Sequence, residues 1–281
     1  MLQVTLRPRV AYLYRLLSEV GLEVFNLLLA ISQLAACPGF LPSAAKDYYV
    51  TACWIFFCSS VTSTALMLHA AIDSYHHIHH LLPALRQERG NAELEFEESV
   101  LYTLSSLMFA AGSILFLPEV YETDERTYLT AGTWLFFFGS LLLWLASFLN
   151  SLNVYEVGPW SLQHPSVKVG TISLMITQFG SICYAVGSVG YFPQLASDTP
   201  TEWNIVAFGT IFYVVGASAY VLSAFLTVVV ALIKHSDAVK VAAHKRNLVA
   251  HGAAIALLFA SRPRLHKSLR TDGSTVALAA D

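Results

Sequence analysis

Long apolar runs separated by short polar segments dominate this chain. Five runs extend for about 20 residues or more without Asp, Glu, Lys or Arg: residues 48–72, 99–118, 128–152, 169–192 and 205–233. About 20 apolar residues are what a helix needs to cross a hydrocarbon layer of about 30 Å. A sixth run, residues 20–37, also contains Glu23, Asn26 and Gln33, which cost free energy in lipid unless they face protein. The pattern predicts an all-α, polytopic membrane bundle with six transmembrane helices.

Composition agrees with this fold class. The 281 residues are 56% hydrophobic and 12% charged, whereas a soluble domain carries about 25% charged residues. A net charge of −3 predicts no nucleic-acid partner. Four cysteines lie in or beside the apolar runs without paired metal-ligand spacing, so we interpret them as small buried side chains.

The basic residues predict the topology. With six crossings, fourteen of the sixteen Lys and Arg residues fall on one side of the membrane, and only Lys46 and Arg126 fall on the other. The positive-inside rule then places both termini in the cytoplasm or an organelle matrix. Three arginines and no acid in the first eighteen residues faintly resemble an organellar targeting segment, so we expect the mitochondrial inner membrane.

The second half of the chain contains an internal repeat. Gly112, Ser113 and Pro118 align with Gly187, Ser188 and Pro193 at an offset of 75, and the segment 131–140 aligns with 208–217 at an offset of 77. Such self-similarity predicts a tandem, parallel duplication of a helical hairpin. We therefore divide the chain into an N-terminal region (1–98), hairpin repeats at 99–152 and 169–233, and a basic extension (234–281).

Small residues recur seven positions apart within the repeated helices, nearly two turns, so each pair shares one face. Small residues on one face allow close approach of helix backbones, which is how transmembrane helices gain packing energy. The predicted helix-packing residues are Ser105, Gly112, Gly132, Gly139, Gly180, Gly187, Gly209 and Gly216.

These residues carry a resemblance. A Gly-Ser-aromatic-Pro pattern, a short polar loop and the string Gly-Thr-Trp-Leu-Phe-Phe-Phe-Gly-Ser resemble the YrhK-like domain, a two-helix membrane unit. The resemblance covers 101–152 well and 172–228 more loosely, about 110 of 281 residues. The second copy departs from it at Ile211 and Ala217. The resemblance implies the hairpin fold and supplies no catalytic residues.

One polar cluster follows the second apolar run. On a continuing helix its members share one face, which suits a zinc, haem or quinone site, although a helix end at the headgroups is the favoured interpretation. These weak metal candidates are His69, Asp73, His76, His77 and His80. Residues 234–260 predict an amphipathic helix with weak candidates for lipid headgroup contacts at Lys234, Lys240, Lys245 and Arg246.

No catalytic residue and no cofactor is predicted, although a bound phospholipid such as cardiolipin is expected beside the basic residues. The five clear runs contain no Asp, Glu, Lys or Arg, which argues against a transporter and against a proton pump, because both usually place an ionisable group near the membrane midplane. We therefore expect a non-catalytic accessory subunit of a respiratory-chain or ATP-synthase assembly, with other membrane subunits and lipids as partners. One alternative is a metal- or haem-binding enzyme at residues 69–80. The other is a small-solute or lipid transporter or channel, with a polar path lined by Ser105, Ser113, Thr133, Thr171, Gln178 and Ser188.

Overall fold

The computed structural model describes residues 8–80, 86–155, 164–196 and 202–260, which are helical apart from short connections and contain no strand. The long helices are α1 (Pro8–Ala36), α2 (Lys46–His80), α3 (Arg86–Leu115), α5 (Glu125–Tyr155), α6 (Pro165–Val189) and α8 (Glu202–Ala260). Two short helices, α4 (Pro118–Tyr121) and α7 (Pro193–Ala196), lie in connections, and a 3-10 turn covers Cys37–Phe40.

Six helical segments are long and apolar enough to cross a membrane, so the predicted six-span helical bundle is confirmed. They are Val20–Phe40, Lys46–His79, Ala92–Leu115, Glu125–Leu152, Pro165–Val189 and Ile205–Ser236. Met1–Ile233 forms one compact unit and Lys234–Asp281 a second. The contacts between the helices that line the central axis lie within the first unit.

Proline and capping residues mark where each hairpin turns. Pro118 and Pro193 begin the short helices after α3 and α6, where a missing N–H costs nothing. Asp124 accepts a hydrogen bond from the Thr127 backbone N–H at 3.2 Å and so caps α5. His164 caps α6 through its Nδ1 atom, 3.4 Å from the backbone nitrogen of Ser166.

The chain forms three hairpins of the same kind: α1 with α2, α3 with α5, and α6 with α8. Side-chain contacts connect the first hairpin to the second, the second to the third, and the third back to the first. The Cys53 thiol lies 3.7 Å from the Phe116 carbonyl oxygen of the second hairpin. The Thr133 hydroxyl donates to the Tyr191 carbonyl of the third hairpin at 3.2 Å. The Thr210 hydroxyl then donates to the Phe40 carbonyl of the first hairpin, also at 3.2 Å.

The donors and acceptors of this cycle occupy equivalent sequence positions. The acceptors open the strings Phe40-Leu41-Pro42, Phe116-Leu117-Pro118 and Tyr191-Phe192-Pro193, and each donor precedes one of the strings Trp54-Ile55-Phe56, Trp134-Leu135-Phe136 and Ile211-Phe212-Tyr213. Since each hairpin contacts the next in the same way, the bundle has pseudo-threefold symmetry. The hairpin at α1–α2 makes the same contacts as the two hairpins for which the sequence predicts a repeat.

Candidate functional site

Equivalent aromatic side chains form two layers across the pseudo-threefold axis. In the outer layer, the Tyr191 ring centroid lies 6.4 Å from that of Phe40 and 6.3 Å from that of Phe116. In the inner layer, the Phe136 ring lies 6.3 Å from Phe56 and 6.0 Å from Tyr213.

Only a gap of about 20 Å³ remains between the two layers, lined by Phe40, Phe116, Phe136, Tyr191 and Tyr213. That is room for about one water molecule. The two layers therefore form an aromatic plug that closes the axis.

A wide vestibule lies on the outer side of the plug. Its volume is about 790 Å³, and the three equivalent prolines and the outer aromatic layer line it together with Lys46, Tyr121, Glu122 and Glu125. Partial burial, followed by the nearby carboxylate of Glu125, raises the pKa of Tyr121, so this phenol is neutral at physiological pH. The charged side chains of this vestibule, Lys46, Glu122 and Glu125, are exposed.

A second cavity, of about 170 Å³, lies on the inner side of the plug. All six long helices contribute to its lining, and none of the lining residues is charged: Gln33, Phe56, Ser60, Ser63, Met67, Tyr102, Ser105, Ser106, Phe109, Leu143, Tyr184 and Tyr220. Tyr184 is 3% exposed, and its hydroxyl has no hydrogen-bond partner among the described residues. Such a buried, unpaired hydroxyl calls for an explanation, because it loses its hydration without gaining a partner.

Glycines hold the helices of the second and third hairpins close together beside the rings of the plug. A Cβ atom added to Gly187 would lie 3.0 Å from the Gly209 carbonyl oxygen, and one on Gly209 would lie 2.8 Å from the Gly187 carbonyl oxygen. In the middle hairpin, a Cβ on Gly112 would lie 2.6 Å from the Phe136 ring and 3.3 Å from the Gly132 carbonyl oxygen. These distances are below ordinary van der Waals contact, so the backbones approach as closely as they do because no side chain intervenes.

The other four predicted packing residues form a second level of contact. A Cβ on Gly139 would lie 3.4 Å from the Ser105 carbonyl oxygen, and one on Gly216 would lie 3.0 Å from the Gly180 carbonyl oxygen. The Ser105 hydroxyl also donates to the Gly139 carbonyl at 2.7 Å. Sequence reasoning missed Gly190, whose added Cβ would lie 2.8 Å from the Gly209 Cα atom.

Comparison with known proteins identifies one of the three hairpins. Residues 92–153 match the family model described as YrhK-like protein. The match runs from α3 to α5, so the resemblance predicted for the middle hairpin is confirmed. No curated protein and no solved structure matches the chain. The first and third hairpins lie outside the family match, and their relation to the YrhK-like hairpin rests on the equivalent contacts described above.

Most of the polar path predicted for a transporter lies away from the cavities. Ser113 and Ser188 are buried and donate to carbonyls four residues earlier in their own helices. Thr133 of the YrhK-like hairpin does the same and also bonds the third hairpin. Ser105 alone of the predicted residues lines the inner cavity. Sequence could not distinguish hydroxyls that bond their own helix from hydroxyls that face open space.

The predicted histidine cluster lies at the far end of α2. His69, Asp73, His76 and His77 are exposed, and the ring of the neighbouring His79 packs edge-on against Tyr75 with centroids 4.5 Å apart. Within the described ranges, no group of three or more His, Cys, Asp or Glu residues is arranged to hold a metal ion.

The predicted headgroup residues fall in the last part of α8. Lys234 is exposed. Lys240, Lys245 and Arg246 belong to that helix, but their side chains lie outside the described part of the structure, as does the side chain of His80.

Proposed function

We propose that the three-hairpin bundle is a channel or carrier for a small uncharged solute, with the aromatic plug as its gate. The observation that carries this proposal is the position of open volume on both sides of the plug. The vestibule and the inner cavity each draw their lining from all three hairpins, as expected of spaces on a pseudo-threefold axis. The lining of the inner cavity contains no charged residue. Such a lining suits a neutral solute, because an ion would lose its hydration there without a compensating charge.

Phe136 is the residue best placed to test the gate. Its ring belongs to the inner layer and lies 5.5 Å, between centroids, from Phe116 of the outer layer and 5.2 Å from Phe109 in the lining of the inner cavity. Phe136→Ala removes the centre of the plug, so we expect the permeability of reconstituted liposomes to glycerol and urea to rise several-fold. Stopped-flow light scattering measures this entry. Phe138→Ala is the matched control, since Phe138 lies on the same helix and is 47% exposed on the outer surface.

A third variant separates a specific passage from a leak caused by misfolding. Ser63 lines the inner cavity, and Ser63→Phe in the Phe136→Ala background fills that space, so we expect permeability to fall back. Equal permeability of Phe136→Ala and Phe138→Ala, or a leak that Ser63→Phe leaves unchanged, would refute the gate.

An accessory role in a larger membrane complex is the second candidate. The observation that favours it is the sparse covering of α1. Only 11% of the Val20–Phe40 window is buried within the chain, against 22–33% for the other spans. Leu28 and Ile31 of this helix are 57% and 45% exposed, which suits a surface covered by another membrane subunit.

Native mass spectrometry after extraction in mild detergent tests the accessory role. If α1 is an interface, a subunit copurifies with the wild-type chain and is lost from a Leu28→Trp variant. Recovery of the wild-type chain as a lone monomer would contradict this role.

The proposed topology places both termini on the positive side, in the matrix if the protein resides in the mitochondrial inner membrane. The vestibule then faces the opposite, acidic side, which carries Glu122 and Glu125. Basic residues beside Lys234 would suit an anionic lipid such as cardiolipin. Accessibility of single introduced cysteines to an impermeant maleimide in intact organelles tests the sidedness, with one site in the vestibule loops and one beyond residue 260.

A further inference from the structure

We propose that the first hairpin gives the inner cavity a hydrogen-bonding wall, formed by Gln33, Ser60 and Ser63, that binds a small neutral primary amide. This inference deepens the proposed function by naming the class of solute, and it rests on that function only for the route into the cavity. Binding is measured without any flux, so the two proposals fail independently.

Four serines line the inner cavity, and their hydroxyl groups differ in hydrogen bonding. Ser105 and Ser106 donate to backbone carbonyls of their own hairpin at 2.7 and 2.9 Å. The hydroxyl groups of Ser60 and Ser63 form no hydrogen bond to any residue that the structure describes. Ser60 is 3% exposed, yet its hydroxyl oxygen keeps accessible surface. Because the residue is otherwise buried and lines the cavity, this hydroxyl faces the cavity.

The pseudo-symmetry shows why the Ser60 hydroxyl is unpaired. Its equivalent in the middle hairpin, Ser140, donates at 2.7 Å to the carbonyl of Phe136, four residues earlier in the same helix. The corresponding carbonyl for Ser60 is that of Phe56, which already accepts from the Ser59 hydroxyl at 3.1 Å. A buried hydroxyl without a partner costs free energy, so a partner inside the cavity is expected.

Ser63 opens space in the cavity. When positions are counted from the donors of the hydrogen bonds between hairpins, its equivalents are Leu143 and Tyr220, and all three residues line the cavity. Serine is the smallest of the three side chains. The first hairpin therefore leaves open the volume that a leucine or a tyrosine would fill.

Gln33 adds an acceptor to the same wall. Its equivalents in the other hairpins are the rings of Phe109 and Tyr184, which also line the cavity. The Gln33 Nε2 atom donates to the Ser59 hydroxyl at 2.9 Å, which fixes the orientation of the amide. The Oε1 atom has no partner among the described residues and keeps accessible surface. An amide oxygen accepts hydrogen bonds and cannot donate them, so this atom requires a ligand with an N–H or O–H group.

The size and chemistry of the cavity define the class of ligand. Its volume of about 170 Å³ is close to that of engineered cavities of about 150 Å³ that bind benzene. The lining contains no charge, which favours a neutral molecule. The serine hydroxyls can donate to a carbonyl oxygen, and the Gln33 oxygen can accept from an N–H group. A primary amide carries both groups side by side, and the apolar remainder of the wall suits a small alkyl substituent.

The test compares two probes that differ at one group. Fluoroacetamide carries an amino group where fluoroacetone carries a methyl group. We expect ¹⁹F NMR titration of the purified chain in detergent to give saturable binding of the amide, tighter than the ketone by about threefold or more, as one neutral hydrogen bond contributes.

Variants of the lining serines assign this binding to the wall. In the double variant Ser60→Ala/Ser63→Ala, the affinity for fluoroacetamide should fall by about threefold or more. Ser106→Ala is the matched control and should keep the wild-type affinity, because Ser106 lines the same cavity but its hydroxyl bonds its own helix. Ser63→Leu fills the cavity with the side chain found at the equivalent position 143 and should abolish binding of both probes.

Three outcomes would overturn the site. These are no saturable binding of fluoroacetamide, equal affinity for the amide and the ketone in the wild type, and equal affinity of the double variant and Ser106→Ala for the amide. A cavity that holds water alone gives the first of them. Binding with the expected preference but without flux through Phe136→Ala would refute the channel and leave the site intact. Flux without binding would do the reverse.

Discussion

The close approach of α6 and α8 at Gly209 makes a quantitative prediction. A Cβ on Gly209 would lie 2.8 Å from the Gly187 carbonyl oxygen, whereas ordinary contact begins at 3.4 Å, so the two backbones must separate by about 0.6 Å. The obstructing atom belongs to the backbone and cannot move aside by a change of rotamer. A gap of about 0.5–1 Å already forfeits a quarter to a half of the dispersion energy of the atoms involved. We therefore expect Gly209→Ala to cost about 2–3 kcal/mol in packing, the upper part of the range for overpacked cores.

Gly170→Ala provides the matched control for this substitution. Gly170, like Gly209, lies near the start of a long helix, and a Cβ added there would meet nothing within 4 Å. Both substitutions gain the same helix propensity, about 1 kcal/mol, so the difference between them isolates the packing term. Unfolding by SDS titration in mixed micelles, followed by tryptophan fluorescence, measures both. If Gly209→Ala proves as stable as Gly170→Ala, the close approach does not hold this hairpin together.

Three further predictions concern single hydrogen bonds. Thr133→Val removes the bond to the Tyr191 carbonyl that joins two hairpins, and we expect a loss of about 0.6–1.7 kcal/mol in the same titration. Asn150→Ala removes the amide that donates to the Glu98 carboxyl group at 2.6 Å, so the thermal midpoint in detergent should fall, and Asn150→Gln should restore part of it. Hydrogen bonds from the Thr127 side chain and from its backbone N–H hold the pKa of Asp124 below its ordinary value of 3.8. The stability that they contribute is present above that pH and is lost as the pH falls through the lowered pKa, so Asp124→Ala should unfold more easily than wild type at pH 7, and the difference should shrink as the solution is acidified.

Hydropathy and self-similarity predicted the six spans and the hairpins that carry the packing glycines. They did not reveal that α1 and α2 form a third hairpin of the same kind. Cys37 and Gly39 interrupt the pattern there, and 14 positions separate Phe40 from Trp54 against 18 between Phe116 and Trp134. Because the connection between α1 and α2 is shorter, these two helices align with α3 and α5 at two different sequence offsets. The repeat is therefore hard to detect in the sequence, although the contacts of the hairpins are equivalent.

The candidate site could not be predicted from the sequence either, for a different reason. Open volume on the axis depends on how rings from three hairpins meet, and this is not encoded in any one segment. Tyr184 and Tyr220 look like ordinary apolar-run tyrosines until the structure shows that one hydroxyl is paired and the other is not. The histidines within residues 69–80, in contrast, could be predicted as metal-ligand candidates because their residue type and spacing can be read directly from the sequence.

The second and third hairpins depart from the pseudo-symmetry at three aromatic positions. Phe109, Phe116 and Phe136 of the YrhK-like hairpin fill their positions with plain rings, whereas the third hairpin places Tyr184, Tyr191 and Tyr213 at the equivalent positions. If packing alone governed these sites, phenylalanine would serve in both hairpins, because the hydroxyl adds a desolvation cost that only a hydrogen bond offsets. Hydrogen bonds to the hydroxyl groups of Thr210 and Ser188 offset that cost for Tyr191 and Tyr213, respectively. The Tyr184 hydroxyl has no hydrogen-bond partner among the described residues, so the asymmetry between the two hairpins is greatest at this position.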